Sequence, residues 1–186
     1  LEEFLIKTAT APFKAIGNLF GANPESIRQV PFEIMQDSLL NDQKNNLDKI
    51  AEIIIKKPEL IFSFSQSTNP DEEMKLLAIR EAKLQFVRSQ SGDGADPLKI
   101  QEEVNKLRDN DPEFRQWLGM TELMGAAQFP AFCMQKVGTE RASVLLNELM
   151  LMRENLLRSY FAEKGVSAYS IQFKMADLRN LPEDLK

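Results

Sequence analysis

A row of acidic side chains follows an alternating apolar and polar run in the stretch FSFSQSTNPDEE, residues 62–73. Two neighbouring carboxylates can serve as general acid and general base when their surroundings separate their pKa values. The same stretch also has the residues that begin a helix. Asn69 suits the N-cap, the next residue is a proline, and Asp71, Glu72 and Glu73 face the positive end of the helix dipole. We therefore interpret the three acids as helix-start residues rather than as a catalytic pair.

The rest of the composition removes other kinds of chemistry. The sequence has no histidine, which argues against Ser-His, Cys-His and zinc-hydrolase sites. Cys133 is the single cysteine, so we interpret it as a small buried apolar side chain. The loops SGDGADP and RDNDPE supply Asp93, Asp96, Asp109 and Asp111, but their spacing is typical of turns and not of an EF-hand. We expect a protein that is not an enzyme and that has no cofactor and no metal site.

Length and charge limit the class of protein further. A chain of 186 residues with 43% hydrophobic and 27% charged residues is typical of one globular domain, here with a large insertion. The net charge of -5 argues against a nucleic-acid partner. No apolar run reaches the length of about 18 residues that a membrane-spanning helix needs. The chain begins at Leu1 rather than at a methionine, so we expect a fragment or a processed form.

The first half of the chain predicts alternating strands and helices. Residues 1–22 predict an amphipathic helix, which either docks on the core of the domain or lies on a membrane surface. Period-two patterns predict strands near 30–35 and 60–66, with a helix from Asn41 to about residue 57 between them. That order implies a parallel pair of strands joined by a crossover helix. A further helix is predicted from residue 70 to residue 89.

The second half predicts a helical insertion followed by a return to the sheet. Residues 91–138 read as mostly helical, residues 139–165 as one long helix with an apolar stripe, and residues 169–175 as a strand. The insertion and the long helix are rich in methionine and aromatic residues. These either form the core or line an adaptable apolar groove for a lipid or a partner helix. They are Met120, Met124, Met134, Met150 and Met152, with Phe129, Phe132 and Trp117.

Taken in order, these segments resemble a known family. The VPFEI strand, the LNDQKNNLDKIAEIIIKKPEL helix, the FSFSQSTNP strand end and LMLMRENLLRSYFAEKGVSAYSIQF are together similar to the OmpA-like periplasmic domain. The long insertion and the lead APFKAIGNLFG resemble the C-terminal region of AsmA-like envelope proteins, domain of unknown function 748. The resemblance implies an α/β (α+β) fold: an OmpA-like β-α-β-α-β sandwich with a small mixed sheet. Its core would be residues 28–90 and 139–177 of a single domain, with residues 91–138 inserted.

The resemblance also implies a ligand site. In the OmpA-like family a turn aspartate and a helix arginine hold the charged ends of diaminopimelate in peptidoglycan. The motif places Asn69 at the aspartate position and Arg153 at the arginine position, while Asp71 is a candidate replacement for the missing acid. Asn69 carries no charge, and a charge-assisted hydrogen bond is roughly twice as strong as a neutral one, so half of the clamp is lost. Arg153 either binds a carboxylate or forms a solvated ion pair on the helix surface.

The function that the resemblance implies follows from these departures. We expect a non-enzymatic periplasmic interaction or accessory domain of an AsmA-like protein involved in outer-membrane or envelope biogenesis. The full-length protein would be membrane-anchored. Its partner would be an envelope protein or the lipid-handling remainder of the same chain. The alternative is an OmpA-like anchor domain that binds peptidoglycan.

Overall fold

The structure, a computed structural model, is mixed α and β. It describes residues 2–8, 28–67, 69–92, 94–121 and 123–174. The chain divides into two compact units: the first is Leu1–Asn69 with Leu149–Lys186, and the second is Pro70–Glu148. None of the described helices is both long enough and apolar enough to cross a membrane.

The first unit contains a mixed sheet. Its four described strands are β1 (Glu2–Thr8), β2 (Gln29–Phe32), β3 (Phe62–Ser67) and β4 (Ile171–Lys174). Their order in the sheet is β2-β1-β3-β4, with β1 antiparallel to both β2 and β3, and β4 parallel to β3. The strands predicted near 30–35, 60–66 and 169–175 are thus found, with bounds shifted by a few residues.

β1 corrects two predictions. Residues 2–8 form a strand and not the start of the predicted helix over 1–22, of which residues 9–22 lie outside the described part. The reason is a period of two, in which Phe4 and Ile6 are buried while Lys7 is exposed. β1 also separates β2 from β3. These two strands are parallel in direction, as predicted, but they are not neighbours.

Two helices contribute to the core of this unit together with the sheet. They are α1 (Asn41–Lys56) and the part of α6 (Thr139–Glu163) that begins at residue 149. Large apolar side chains from the strands and these helices form one core, and burying each such side chain contributes roughly 1.5–3 kcal/mol. Its largest fully buried apolar members are Phe62, Phe64, Phe161, Leu47, Ile50, Ile53, Ile54 and Leu157.

The second unit is helical in its described part. It contains α2 (Pro70–Ser91), α3 (Pro97–Lys106), α4 (Pro112–Trp117), α5 (Phe129–Val137) and the first part of α6. Aromatic rings form its core: Phe114 stacks on Trp117 at 6.1 Å between centroids and meets Phe129 edge-on at 6.0 Å. The segment 91–138, predicted to be mostly helical, contains α3, α4 and α5, and α2 belongs to the same unit.

The aspartates of the acid-rich loops begin helices or pair with a lysine. Asp96 accepts a hydrogen bond from the Leu98 amide at the start of α3. Asp111 accepts one from the Phe114 amide at the start of α4. Asp109 lies 2.7 Å from Lys83. The contacts of Asp96 and Asp111 are those that the turn interpretation predicts, whereas Asp109 forms an ion pair and Asp93 lies outside the described residues.

Candidate functional site

Arg153 is the most deeply buried charged group of the predicted site. It lies on α6 in the first unit, with 0% of its surface exposed. Its Nη2 donates to the Glu33 carbonyl at 3.1 Å, and its Nε donates to the Gln36 carbonyl at 3.3 Å. The guanidinium also lies 5.4 Å from the centre of the Phe32 ring, within the range of a cation–π contact. The solvated ion pair considered for Arg153 is therefore wrong, because the side chain holds backbone groups inside the protein.

The loop that Arg153 contacts runs from β2 to α1 and is held by several hydrogen bonds from its own side chains and that of Gln43. The Glu33 amide donates to Gln36 Oε1 at 2.8 Å, and the Leu40 amide donates to Gln43 Oε1 at 2.8 Å. The buried side chain of Gln43 also donates to the Pro31 carbonyl. Side-chain bonds of this kind replace the backbone ladder where a strand ends, and they fix the path of the loop.

Met35 lies in the same loop with a φ of 63°. This is the left-handed region, where a residue with a Cβ has a conformational cost of roughly 1–2 kcal/mol. Such a conformation persists when the surrounding contacts over-determine it. The hydrogen bonds of Arg153 to Glu33 and Gln36, on either side of Met35, are contacts of that kind.

The other two predicted ligand residues lie in different surroundings. Asn69 follows β3 in the first unit and is exposed, in contrast to Arg153. Asp71 belongs to the second unit, where it is exposed in the first turn of α2. Within the second unit, Asp71 lines a groove.

That groove lies between the start of α2, one face of α5 and the α5–α6 junction, and its volume is about 740 Å³. We call it the methionine groove, because Met74 and Met134 line it together with the small residue Ala131. Asp71 and Gln135 are polar residues of its lining. Of the methionines and aromatic residues singled out from the sequence, Met134 lines this groove, whereas Met120, Phe129 and Trp117 belong to the core of the second unit.

A second polar cluster joins α1 to α6 in the first unit. Asp48 Oδ1 accepts a hydrogen bond of 2.8 Å from the Tyr160 hydroxyl and lies 2.6 Å from Lys164 Nζ. Lys164 Nζ also lies 5.1 Å from the centre of the Tyr160 ring. The three groups therefore fasten the two helices together.

Each group of this cluster has a shifted pKa. The hydrogen bond from Lys164 lowers the pKa of Asp48, and the bond from Tyr160 acts in the same direction. Burial raises the pKa of Tyr160, and the bond to Asp48 adds to that rise. The hydrogen bond to Asp48 raises the pKa of Lys164. At neutral pH the cluster is therefore a carboxylate, a neutral phenol and an ammonium group.

Two signals in the sequence could have revealed these contacts. Tyr160 and Lys164 are four residues apart in the segment predicted as one long helix, a spacing that would place both on one face. Gln43 stands at the third helical position of α1, where a glutamine side chain can bond back to the amide that precedes the helix. Neither signal shows the partner, because Asp48 is 112 residues from Tyr160 in sequence.

Within the described part of the chain, no group of three or more Cys, Asp or Glu side chains could hold a metal ion.

No protein-family model matches this chain, and neither a curated protein nor a solved structure matches it. The resemblance to AsmA-like and OmpA-like sequences therefore stays a prediction that rests on the residues themselves.

Proposed function

We propose that this chain is a non-enzymatic interaction domain of an AsmA-like envelope protein, built on an OmpA-like β-α-β-α-β arrangement. The order of the sequence segments supports the family, and a mixed sheet that shares one hydrophobic core with helices supports the arrangement. In this proposal the domain acts in the periplasm as part of a membrane-anchored protein. It holds either an envelope protein or the lipid-handling remainder of its own chain.

One observation carries the choice of an interaction domain over a peptidoglycan anchor. Arg153, at the family's ligand-binding position, is fully buried and donates to the carbonyls of Glu33 and Gln36. A guanidinium that binds a ligand carboxylate has to present its donors to that ligand. In this chain Nε and Nη2 of the guanidinium donate to carbonyls of the β2–α1 loop. The family's other ligand position is Asn69, an uncharged residue that offers an ammonium group no opposite charge.

The methionine groove is the surface that we propose contacts the partner. Methionine side chains adapt their shape to an apolar partner, and the small side chain of Ala131 lines the same groove as Met74 and Met134. The occupant that we propose is an apolar segment from the remainder of the full-length chain.

A sedimentation experiment with purified sacculi separates the two functions. We expect the native chain to stay in the supernatant, because the clamp lacks its carboxylate. The Asn69→Asp variant restores that charge, and the exposed Asn45→Asp variant on α1 adds the same charge away from the site. Saturable sedimentation of the native protein, lost when free diaminopimelate is added, would instead establish the anchor.

Photo-crosslinking in the full-length protein tests the interaction surface. Gln135 is an exposed residue of the methionine groove. A photoreactive amino acid at this position should form crosslinks within the same polypeptide, to residues outside the 186 residues of this sequence. The same probe at exposed Glu113, outside the groove on α4, is the matched control. Crosslinks of equal yield from both positions, or none from Gln135, would contradict the proposed surface.

A further inference from the structure

A second cavity lies in the second unit, away from the methionine groove. It has a volume of about 620 Å³ and is formed by the end of α2, the end of α3 and the loop before α4. Cavities that hold small molecules have volumes of roughly 300–1,000 Å³ and combine an apolar surface with a few polar groups. This cavity has both features.

The apolar part of the cavity is continuous with the aromatic core. Phe86 and Val87 are buried side chains from the last turns of α2, and Leu107 is half-buried just after α3. The Phe86 ring lies 5.3 Å from the ring of Phe114 and 5.8 Å from that of Trp117, which hold it in place. The cavity therefore offers a preformed surface for an apolar or aromatic side chain.

The polar part of the cavity carries one group of each charge without an internal partner. Glu103 and Arg108 line it, and within the described chain neither side chain forms a hydrogen bond or an ion pair. Its other charged residues are engaged: Lys106 lies 3.6 Å from Glu102, and Asp111 caps α4. Glu103 and Arg108 are thus the groups available to a ligand.

We infer that this cavity binds a short zwitterionic peptide with an apolar side chain. Arg108 receives the α-carboxylate through its fork of donors, and Glu103 receives the α-ammonium group. The apolar side chain lies against Phe86, Val87 and Leu107. This inference is independent of the proposed function, because it concerns a different surface and a different partner.

The dipeptide Ala-Phe and its two blocked forms test each half of the site by NMR titration of the backbone amides. Ala-Phe should give saturable shifts at Gln90 and Leu107, two residues that line the cavity. N-acetyl-Ala-Phe lacks the ammonium group and Ala-Phe amide lacks the carboxylate. Each should bind up to about fivefold more weakly, the effect of losing one exposed charge pair.

Two variants identify which residue binds which charged end of the peptide. Glu103→Gln should abolish the difference between Ala-Phe and its N-acetyl form, and Arg108→Gln should abolish the difference between Ala-Phe and its amide. Glu113→Gln and Arg80→Gln change exposed residues of the same unit outside the cavity and should leave both differences intact. Unsaturated shifts with Ala-Phe, equal binding of all three peptides, or equal losses in the control variants would overturn the inference.

Discussion

Asp48 and Lys164 form an ion pair of 2.6 Å between α1 and the turn that follows α6. The Tyr160 hydroxyl shares the same carboxylate oxygen of Asp48. Two helices that contribute to the core of the first unit are thus joined through one acid. The pair is partly exposed, so its contribution to stability depends on pH and on salt.

Acid should weaken this contact selectively. The pKa of Asp48 is lowered from its usual value of 3.8, so the contribution of the carboxylate is present above about pH 4 and is lost as pH falls through the folded pKa. Urea unfolding should show a larger difference between the native protein and Asp48→Asn at pH 7 than at pH 3. Lys164→Gln should behave similarly. The double variant should lose less free energy of unfolding than the sum of the losses of the two single variants. An additive double variant would show that the two residues act independently.

Alkali should act through Tyr160 and Lys164. The pKa values of both groups are raised, so their contributions are present below pH 10 and are lost as pH rises through the folded values. Tyr160→Phe removes a hydroxyl that bonds Asp48 and should lower the free energy of unfolding at pH 7 by about 1 kcal/mol. In a Tyr169→Phe background, which leaves Tyr160 as the single tyrosine, the ultraviolet titration of the folded protein should occur at a higher pH than in urea. A native titration at or below the unfolded value would contradict the burial of this ring.

Arg153 should contribute strongly to stability. Arg153→Met leaves the carbonyls of Glu33 and Gln36 without their buried donor and should lower the free energy of unfolding by about 2–4 kcal/mol. Arg153→Lys keeps the charge but not the planar fork, so we expect an intermediate loss. Arg80→Met, at an exposed arginine on α2, should change stability by no more than about 0.5 kcal/mol. Chemical denaturation measures the free energy of unfolding of all three variants. If Arg153→Met left that free energy unchanged, the buried guanidinium would not contribute to stability.

The elements were largely predictable, and their pairing was not. Period-two runs at β2, β3 and β4 and the stripe on α6 are local signals, so the sequence predicts them well. β1 is also a period-two run, but several large apolar residues follow it closely, and they favoured a helix. The position of β1 between β2 and β3 is a contact between distant parts of the chain, which a local pattern does not contain.

In the candidate site, too, the residue was predictable from the sequence and its contacts were not. The motif identifies Arg153 as a notable residue, and residue type alone leaves open whether it faces a ligand, solvent or the interior. Its orientation is decided by the Glu33 and Gln36 carbonyls, which are 120 and 117 residues away in sequence. Phe86, Glu103 and Arg108 likewise line one cavity only because the fold brings together the ends of α2 and α3 and the loop after α3.

The backbone at Met35 should respond to the shape of its side chain. Its φ of 63° favours glycine, so Met35→Gly should raise the free energy of unfolding by about 0.5–1 kcal/mol. Met35→Val places a β-branched side chain in the same conformation and should lower it by about 1 kcal/mol or more. Thermal unfolding ranks the three proteins. We expect stability to decrease from Met35→Gly to the native protein to Met35→Val. A destabilised glycine variant would show that the contacts of the methionine side chain outweigh the backbone strain.

Cys133 provides a probe of the second unit. The thiol is fully buried, and burial raises its pKa to about 12. Because the thiolate is the reactive form and is almost absent at pH 8, iodoacetamide should alkylate the native protein at least about a hundredfold more slowly than the urea-unfolded chain. Phe114→Leu, a change in the aromatic core of the same unit, should speed alkylation by making the unit easier to open, whereas exposed Glu113→Gln should not. Rapid alkylation of the native protein would place the thiol at the surface and contradict this packing.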